Sequence, residues 1–301
     1  MRARALVNAA GPWAESFLRH RAHHTLNKSL RLIKGSHIVV PRLHEGDHAF
    51  ILQNSDNRIV FVIPYEHSFS LIGTTDIAVD SGEAPVCSPE EIAYLCDIAG
   101  HYMQKPVRPE DVVWTYSGVR PLFDDGDDNP SAVTRDYHLE VDGAVGTAPL
   151  LSVFGGKITT YRHLAQEAVE ELASRMPELK APGWTDTAPL PGGDFPIDGA
   201  MALEGALQAR YPFLEAGWTR RLVRSYGRDS FEILGDAASL ADCGQHFGHG
   251  LTERELRHLT THEWARSAAD VLWRRGKLGL HYTTAEADVL EHWLAANGGT
   301  Q

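Results

Sequence analysis

The chain has 301 residues, is 43% hydrophobic and 23% charged, and carries a formal net charge of -12. These values fit a globular protein with two domains or one large one, and the acidic balance argues against a nucleic-acid-binding protein, whose phosphate contacts need clustered Lys and Arg. Three cysteines without a C-x-x-C pair indicate neither a disulfide framework nor a zinc site. No apolar run approaches the roughly 18 residues of a membrane span, and no signal peptide is visible, so we expect a cytoplasmic protein.

The N-terminal stretch predicts a strand, a tight turn and a helix. Residues 5–7 resemble the end of a buried strand, residues 8–11 form a turn of small residues, and Pro12 is well placed to start a helix. Small side chains at such a turn would let a flat ligand approach the backbone closely. Ordinary packing between the strand and the helix explains the same pattern.

A histidine stands directly before the next predicted strand. The segment RLIKGSHIVVP, residues 31–41, has its strand signal at residues 38–40, and His37 precedes that signal. A histidine at this position is a candidate base or a hydrogen-bond donor to a substrate. A structural histidine beside a strand is the alternative.

Three short β-rich runs predict an antiparallel sheet. They are residues 50–53, 59–63 and 69–72, with turn residues between them. A helix follows, because Ser88 is a good N-cap residue and Glu91 stands three residues later, as in a capping box.

An arginine at the end of a further strand is a candidate anion ligand. Residues 112–116 predict this strand, which runs into SGVRPL. Arg120 lies there between a glycine and a proline on a stiff backbone, which suits a two-pronged grip on phosphate or carboxylate. A structural ion pair is the alternative. The run DDGDDN at residues 124–129 lacks the glutamate that a calcium loop needs at its twelfth position, so we expect a solvated turn.

A strand, a glycine turn and a helix start follow one another in LLSVFGGKITTYRHL. Residues 150–154 are apolar, and the helical pattern begins after the turn. This order brings unpaired backbone N–H groups and the positive end of a helix dipole to one point, where a flat or anionic ligand could bind. An ordinary strand-to-helix connection is the alternative. The candidate residues are Gly155, Gly156, Lys157, Thr159 and Thr160.

The sequence becomes helical after a linker. We predict a first domain at residues 1–180, a Pro- and Gly-rich linker at residues 181–198 and a helical domain at residues 199–301. Helical segments begin near Gly199, Phe213, Phe231, Thr252 and Thr284. The run TERE at residues 252–255 predicts a capping box, and apolar residues including Trp264 suit a packed helix after it.

A histidine pair in this helical part resembles half of a metal site. His258 and His262 are spaced i, i+4 on one predicted helix face. Since no third ligand stands nearby, we expect a surface pair and no metal site.

Several motifs, taken together, resemble those of one enzyme family. They are VNAAGPWA, RLIKGSHIVVP, LIGTTD, VVWTYSGVRPL, LLSVFGGKITTYRHLAQEAVEEL and HEWARSAADVLWRR, and in this order they span nearly the whole chain. The family they resemble is that of the aerobic, FAD-dependent sn-glycerol-3-phosphate dehydrogenases. The resemblance implies an α+β fold, with an antiparallel or mixed β-sheet remnant of the substrate domain of an FAD-dependent oxidoreductase and an all-helical C-terminal domain after it.

One departure from the family pattern is large. The family begins with a strand, a G-x-G-x-x-G turn and a helix that hold the pyrophosphate of FAD, and no such motif occurs here. We therefore expect a truncated chain, the C-terminal portion of a longer enzyme. An N-terminal FAD-binding half supplied in trans is then a candidate partner.

The resemblance also implies roles for individual residues. His37, Arg120 and Lys157 are the implied catalytic residues, with His37 as the base and the two cations near the substrate phosphate. The implied FAD-binding residues are Ala9, Ala10, Gly11, Gly155, Gly156, Lys157, Thr159 and Thr160.

The implied reaction is the oxidation of sn-glycerol 3-phosphate to dihydroxyacetone phosphate, with electrons passed to quinone. Family enzymes are peripheral proteins on the inner face of the cytoplasmic membrane, and a homodimer is a further candidate assembly. Two other functions are open: a non-catalytic fragment that acts only as a packing or interaction module, and a related flavin amine oxidase.

Overall fold

A computed structural model of the chain describes residues 3–23, 29–123, 136–144, 146–180 and 182–297. The chain divides into two compact units, Met1–Asp186 and Thr187–Gln301. The first contains two β-sheets with three helices, and the second is built from helices, so the predicted α+β class is confirmed. No helix in the described ranges is long and apolar enough to cross a membrane. The turn predicted at residues 124–129 lies outside these ranges.

The first unit contains nine described strands in two sheets. They are β1 (Leu6–Asn8), β2 (Leu30–Pro41), β3 (Phe50–Gln53), β4 (Ile59–Tyr65), β5 (Phe69–Gly73), β6 (Ile77–Ala78), β7 (Trp114–Phe123), β8 (Tyr137–Asp142) and β9 (Leu150–Gly155). The large sheet has the order β3-β4-β5-β2-β6, and β7 pairs with the long central strand β2. All of its strand pairs are antiparallel, as the three β-rich runs predicted.

One face of the large sheet is covered by a helix. The helices of this unit are α1 (Ala14–His20), α2 (Pro89–Tyr102) and α3 (Tyr161–Ala173). Residues alternate along β4, so that Val60 and Val62 are fully buried in the core beneath α2, whereas Phe61 and Ile63 on the other face are each 37% exposed. The large sheet therefore has one face packed under α2 and a second face, called the open face below, that is accessible at β4, although Ile33 and Val39 on it are buried.

The second, smaller sheet joins the two ends of this unit. Its order is β1-β9-β8, with β1 parallel and β8 antiparallel to β9. Leu151 and Val153 of β9 are buried against Ala168 and Leu172 of α3. The stretch before and after the Gly155–Gly156 turn is thus a strand and a helix packed on each other.

The helical unit has its own core. Its helices are α4 (Ala200–Arg210), α5 (Ala216–Tyr226), α6 (Ser230–Leu234), α7 (Glu253–His262), a π-helix (Asp270–Arg275) and α8 (Thr284–Asn297). At the centre, Arg221 donates to both carboxylate oxygens of Glu255 at 2.6 and 2.7 Å, and the Tyr226 hydroxyl donates to one of them at 2.7 Å. Glu255 is 2% exposed, so this ion pair fixes α5 against α7 inside the core.

Two predictions in the helical unit were wrong in detail. Thr252 is the N-cap of α7, but its side chain makes no capping hydrogen bond, and the Glu255 carboxylate, which would complete the capping box, pairs with Arg221. Trp264 is 75% exposed with φ +54°, because α7 ends at His262 and the packed helix does not continue through it.

Candidate active site

Two neighbouring strands carry two of the predicted catalytic side chains on the open face of the large sheet. In the antiparallel register of β2 and β7, His37 lies opposite Tyr116 and Ile33 lies opposite Arg120. Paired residues point to the same face, and residues two apart share that face, so His37 and Arg120 lie on the same side of the sheet. The His37 and Tyr116 rings stack with centroids 4.8 Å apart and an interplanar angle of 5°.

Glycines form the floor beneath these side chains. Gly35 lies opposite Gly118 between the two strands, and Gly73 lies opposite His37 on the other side. A Cβ at Gly35 would stand 2.4 Å from Arg120 Nη2, and a Cβ at Gly73 would stand 2.1 Å from His37 Cδ2. A Cβ at Gly118 would meet nothing within 4 Å. The first two glycines therefore let Arg120 and His37 lie against the sheet, and the third leaves open space beside them.

Arg120 is held by three acceptors from one short segment. Its Nη1 donates to Asp76 Oδ1 at 2.6 Å, and its Nη2 donates to Thr74 Oγ1 at 3.1 Å and to the Thr75 carbonyl at 3.4 Å. The side chains of Arg120 and Asp76 are 34% and 35% exposed. The structural ion pair considered from the sequence therefore exists, and both partners remain accessible to a ligand.

His37 is neutral at neutral pH. Burial, and secondly the Arg120 charge, lower the pKa of His37 to about 4, because both disfavour the imidazolium form. Its Nδ1 is buried and has no hydrogen-bond partner among the described residues. A neutral imidazole can accept a proton, and the stacked Tyr116 ring fixes its plane.

A buried carboxylate on the opposite face of the sheet supports this arrangement. Glu91 accepts hydrogen bonds from Lys34 Nζ at 2.8 Å, Ser36 Oγ at 2.8 Å, Thr75 Oγ1 at 2.7 Å and the Ser88 backbone N–H at 2.8 Å. Burial opposes its ionisation, but these donors outweigh burial and lower the pKa of Glu91 to about 2. The predicted capping box at the start of α2 is therefore confirmed, and its glutamate also reaches the large sheet.

Residues 74–76 connect the two faces. Thr75 bonds to Glu91 beneath the sheet, whereas its neighbours Thr74 and Asp76 bond to Arg120 above it. Sequence reasoning missed these contacts. The residues are distant from Arg120 along the chain, and the sequence shows only a polar turn, GTTD, that closes a strand.

The two predicted small-residue turns lie at one edge of the smaller sheet. β1 is parallel to β9, and the carboxyl ends of parallel strands meet at the same edge. Gly11 has φ +56° with nothing within 4 Å of an added Cβ, and Gly155 and Gly156 have φ +70° and +92°. Asn8 and Ser152, opposite each other in register, each keep a buried oxygen without a hydrogen-bond partner among the described residues. This edge therefore combines open space at Gly11 with unused hydrogen-bonding capacity.

The other predicted residues flank these turns. Ala9 is exposed and Ala10 is half-buried after β1. Thr160 Oγ1 donates to the Lys157 carbonyl at 2.8 Å and closes a short 3-10 turn that leads into α3, and Thr159 is exposed in that turn. The Lys157 side chain is exposed, and no hydrogen bond or ion pair joins it to a described side chain, so a shared site with Arg120 stays a prediction.

The turns lie close to the strand that carries Arg120. A Cβ at Gly155 would stand 3.4 Å from the backbone nitrogen of Phe123, the last residue of β7. Phe123 lies three residue steps after Arg120 along β7, which corresponds to about 10 Å. The candidate cofactor edge and the candidate substrate face are therefore neighbours within one unit.

Comparison with known proteins identifies the family of the chain. Residues 1–162 match the family model of FAD dependent oxidoreductases, and residues 184–296 match that of the C-terminal domain of alpha-glycerophosphate oxidase. A structure of the glycerol-3-phosphate dehydrogenase from Bacillus halodurans complexed with FAD covers 99% of this chain with a TM-score of 0.72 at 25% identity, and this chain covers 62% of it.

Two relatives are more similar in sequence. The aerobic glycerol-3-phosphate dehydrogenase of Escherichia coli (strain K12) is 47% identical over 97% of this chain, and the D-erythritol 1-phosphate dehydrogenase of Brucella abortus (strain 2308) is 43% identical over 97%. The chain spans 58% of the length of each. The chain therefore belongs to the FAD-dependent glycerol-3-phosphate dehydrogenase family of oxidoreductases.

Proposed function

We propose that this chain acts in the FAD-dependent oxidation of sn-glycerol 3-phosphate to dihydroxyacetone phosphate. The observation that carries the proposal is the open sheet face, on which a neutral histidine and an arginine lie over three glycines. An arginine can bind a phosphate anion, and a neutral histidine can accept a hydroxyl proton. Oxidation of a phosphorylated alcohol needs both groups at one site. The substrates named for the relatives, a glycerol phosphate and an erythritol phosphate, share this chemistry.

Arg120 binds the phosphate group in this proposal. Its guanidinium lies against the glycine floor and is oriented by neutral oxygens of Thr74 and Thr75. A planar guanidinium held in this way can donate two parallel hydrogen bonds to a phosphate. Lys157, exposed in the neighbouring turn, adds a second cation to the same anion.

His37 removes the proton of the C2 hydroxyl. It is deprotonated at neutral pH, because its pKa is about 4. A phosphate dianion on Arg120 would offset the charge that helps to lower this pKa, so binding of the substrate strengthens the base. The burial of His37 and its stack on Tyr116 restrict the direction from which the hydroxyl can approach.

The edge formed by the two turns fits FAD as the cofactor. The positive φ angles and the open space over Gly11 allow a flat ring system to approach the backbone, and the unpartnered oxygens of Asn8 and Ser152 can accept hydrogen bonds there. We assign FAD binding to Ala9, Ala10, Gly11, Gly155, Gly156, Lys157, Thr159 and Thr160. When bound, FAD supplies the acceptor for the hydride that leaves C2.

The later fate of the electrons rests on the family resemblance alone. Quinone as the acceptor, association with the inner face of the cytoplasmic membrane, a homodimer and an N-terminal FAD-binding half in trans all belong to this proposal.

The test is oxidation of glycerol 3-phosphate with added FAD and a soluble quinone. It compares this chain with the same chain joined to the N-terminal part of the E. coli relative. Arg120→Ala should raise KM for glycerol 3-phosphate far more than KM for glycerol. Equal effects on the two KM values would show that Arg120 does not bind the phosphate. D-erythritol 1-phosphate is the second substrate, and a higher kcat/KM for it would assign the four-carbon compound instead.

A further inference from the structure

The ion pair between Arg120 and Asp76 stands where the proposed phosphate would bind. Asp76 accepts from Nη1 of the guanidinium, whereas Thr74 Oγ1 and the Thr75 carbonyl, which lie 2.9 Å apart, both accept from Nη2. A phosphate that grips Nη1 and Nη2 together competes with the Asp76 carboxylate at Nη1.

We propose that Asp76 is an internal counter-ion of Arg120, which occupies the anion site and leaves it when a phosphate monoester binds. This inference rests on the proposed function, because it takes Arg120 to be the phosphate ligand. It adds a residue to that site, and it gives the free and the occupied site two different arrangements.

Asp76 is the acceptor most able to leave. It is the only charged acceptor of the three, so its carboxylate repels a phosphate that approaches the same guanidinium. Its side chain is 35% exposed and makes a single hydrogen bond among the described residues. The buried carboxylate of Glu91, by contrast, is 3% exposed and accepts four hydrogen bonds, so it is fixed.

Arg120 does not depend on Asp76 for its position. Thr74 Oγ1 donates in turn to the Thr75 carbonyl at 2.9 Å, and Thr75 Oγ1 is tied to the buried carboxylate of Glu91. These neutral oxygens stay in place and orient the guanidinium when Asp76 turns away. Removing the Asp76 charge should therefore free a preoriented cation.

The consequence is weaker binding of every anion at the site. Displacement of Asp76 adds the same cost to each anion, so the ratio of their affinities is unchanged, but an anion that binds weakly no longer occupies the site at its working concentration. Substrate and product both carry the phosphate, and the returning carboxylate also favours release of the product.

The experiment is calorimetric titration of the 301-residue chain with glycerol 3-phosphate. Asp76→Asn keeps the shape of the side chain and removes its charge. The dissociation constant should therefore fall about tenfold, which is about the contribution of one charge-assisted hydrogen bond. Asp80→Asn is the matched control, because Asp80 is exposed four residues later and has no contact with Arg120. Its dissociation constant should equal that of the wild type.

Unchanged or weaker binding by Asp76→Asn, or equal tightening by Asp80→Asn, overturns the inference. If Asp76→Asn does not fold, Asp76→Ser is titrated in its place with the same expectation. Arg120→Gln separates the two proposals. Loss of binding in Arg120→Gln without tightening in Asp76→Asn refutes only the role of Asp76, whereas unchanged binding in Arg120→Gln refutes the phosphate site and the counter-ion together.

Discussion

Replacing Arg120 by glutamine should raise the pKa of His37. The guanidinium disfavours the imidazolium form, and it is the second cause, after burial, of the lowering of this pKa to about 4. Glutamine removes the positive charge and keeps a side chain of similar reach. It also leaves the Asp76 carboxylate without its cation, which acts on His37 in the same direction.

The size of the effect follows from the geometry. Arg120 reaches across Gly35, two residues from His37 along β2, which corresponds to about 7 Å. Coulomb's law at that distance gives about 0.6 kcal/mol at the dielectric constant of water and about 2.4 kcal/mol at a value of 20. Since 1.36 kcal/mol corresponds to one pKa unit, we expect the pKa of His37 to rise from about 4 to about 5.

The assay is NMR titration of the histidine ring protons between pH 4 and pH 8. The signal of His37, assigned by its loss in His37→Gln, should begin to shift at a higher pH in Arg120→Gln than in the wild type. Lys105→Gln removes an exposed positive charge that is not among the causes of the lowering, and it should leave the titration unchanged. An unchanged or lower pKa in Arg120→Gln would refute the electrostatic coupling of the two residues.

Three further predictions concern stability and binding. Glu91→Gln should lower the free energy of unfolding by about 3–5 kcal/mol in urea melts, because the Lys34 ammonium, which is only 14% exposed, loses its ion-pair partner. The variant Glu90→Gln, at the exposed neighbouring position, should change it little. Glu91 should stabilise the fold fully above its unfolded pKa of about 4.3, and this stabilisation should be lost as the pH falls towards its folded pKa of about 2. The free energy of unfolding of Glu91→Gln should therefore fall less over this pH range than that of the wild type. Arg221→Gln should lower the free energy of unfolding by about 3–5 kcal/mol, because it breaks the buried pair with Glu255. Arg220→Gln breaks only a more exposed pair at 3.6 Å and should lower it by less than about 1 kcal/mol. Equal decreases in the two variants would contradict the stabilising role of the buried pair. Gly35→Ala should weaken glycerol 3-phosphate binding at least tenfold, because its Cβ meets the guanidinium at 2.4 Å, and unchanged affinity would contradict the glycine floor.

Local patterns predicted the elements of the site well. The three β-rich runs, separated by turn residues, predicted an antiparallel sheet, and the register of β3, β4 and β5 confirms it. The capping box of Ser88 and Glu91 forms as predicted, because donor and acceptor lie three residues apart in one helix turn.

Contacts between distant segments were not predictable in the same way. The sequence TERE carries the same capping signal, but there the Glu255 carboxylate pairs with Arg221, which lies 34 residues away in the sequence. Asp76 and Arg120 are 44 residues apart, and only the pairing of β2 with both β6 and β7 brings their segments together. Local sequence therefore identified the chemical groups, whereas the strand order decides which of them meet.

The most direct test of the proposed function is binding of sn-glycerol 3-phosphate against glycerol, measured by calorimetry on the 301-residue chain and on Arg120→Gln. The proposed site predicts that the chain binds glycerol 3-phosphate more tightly than glycerol, that Arg120→Gln weakens the binding of glycerol 3-phosphate at least tenfold, and that it changes the affinity for glycerol little. Equal affinities of the two proteins for glycerol 3-phosphate would contradict the proposed phosphate site on the open face of the large sheet.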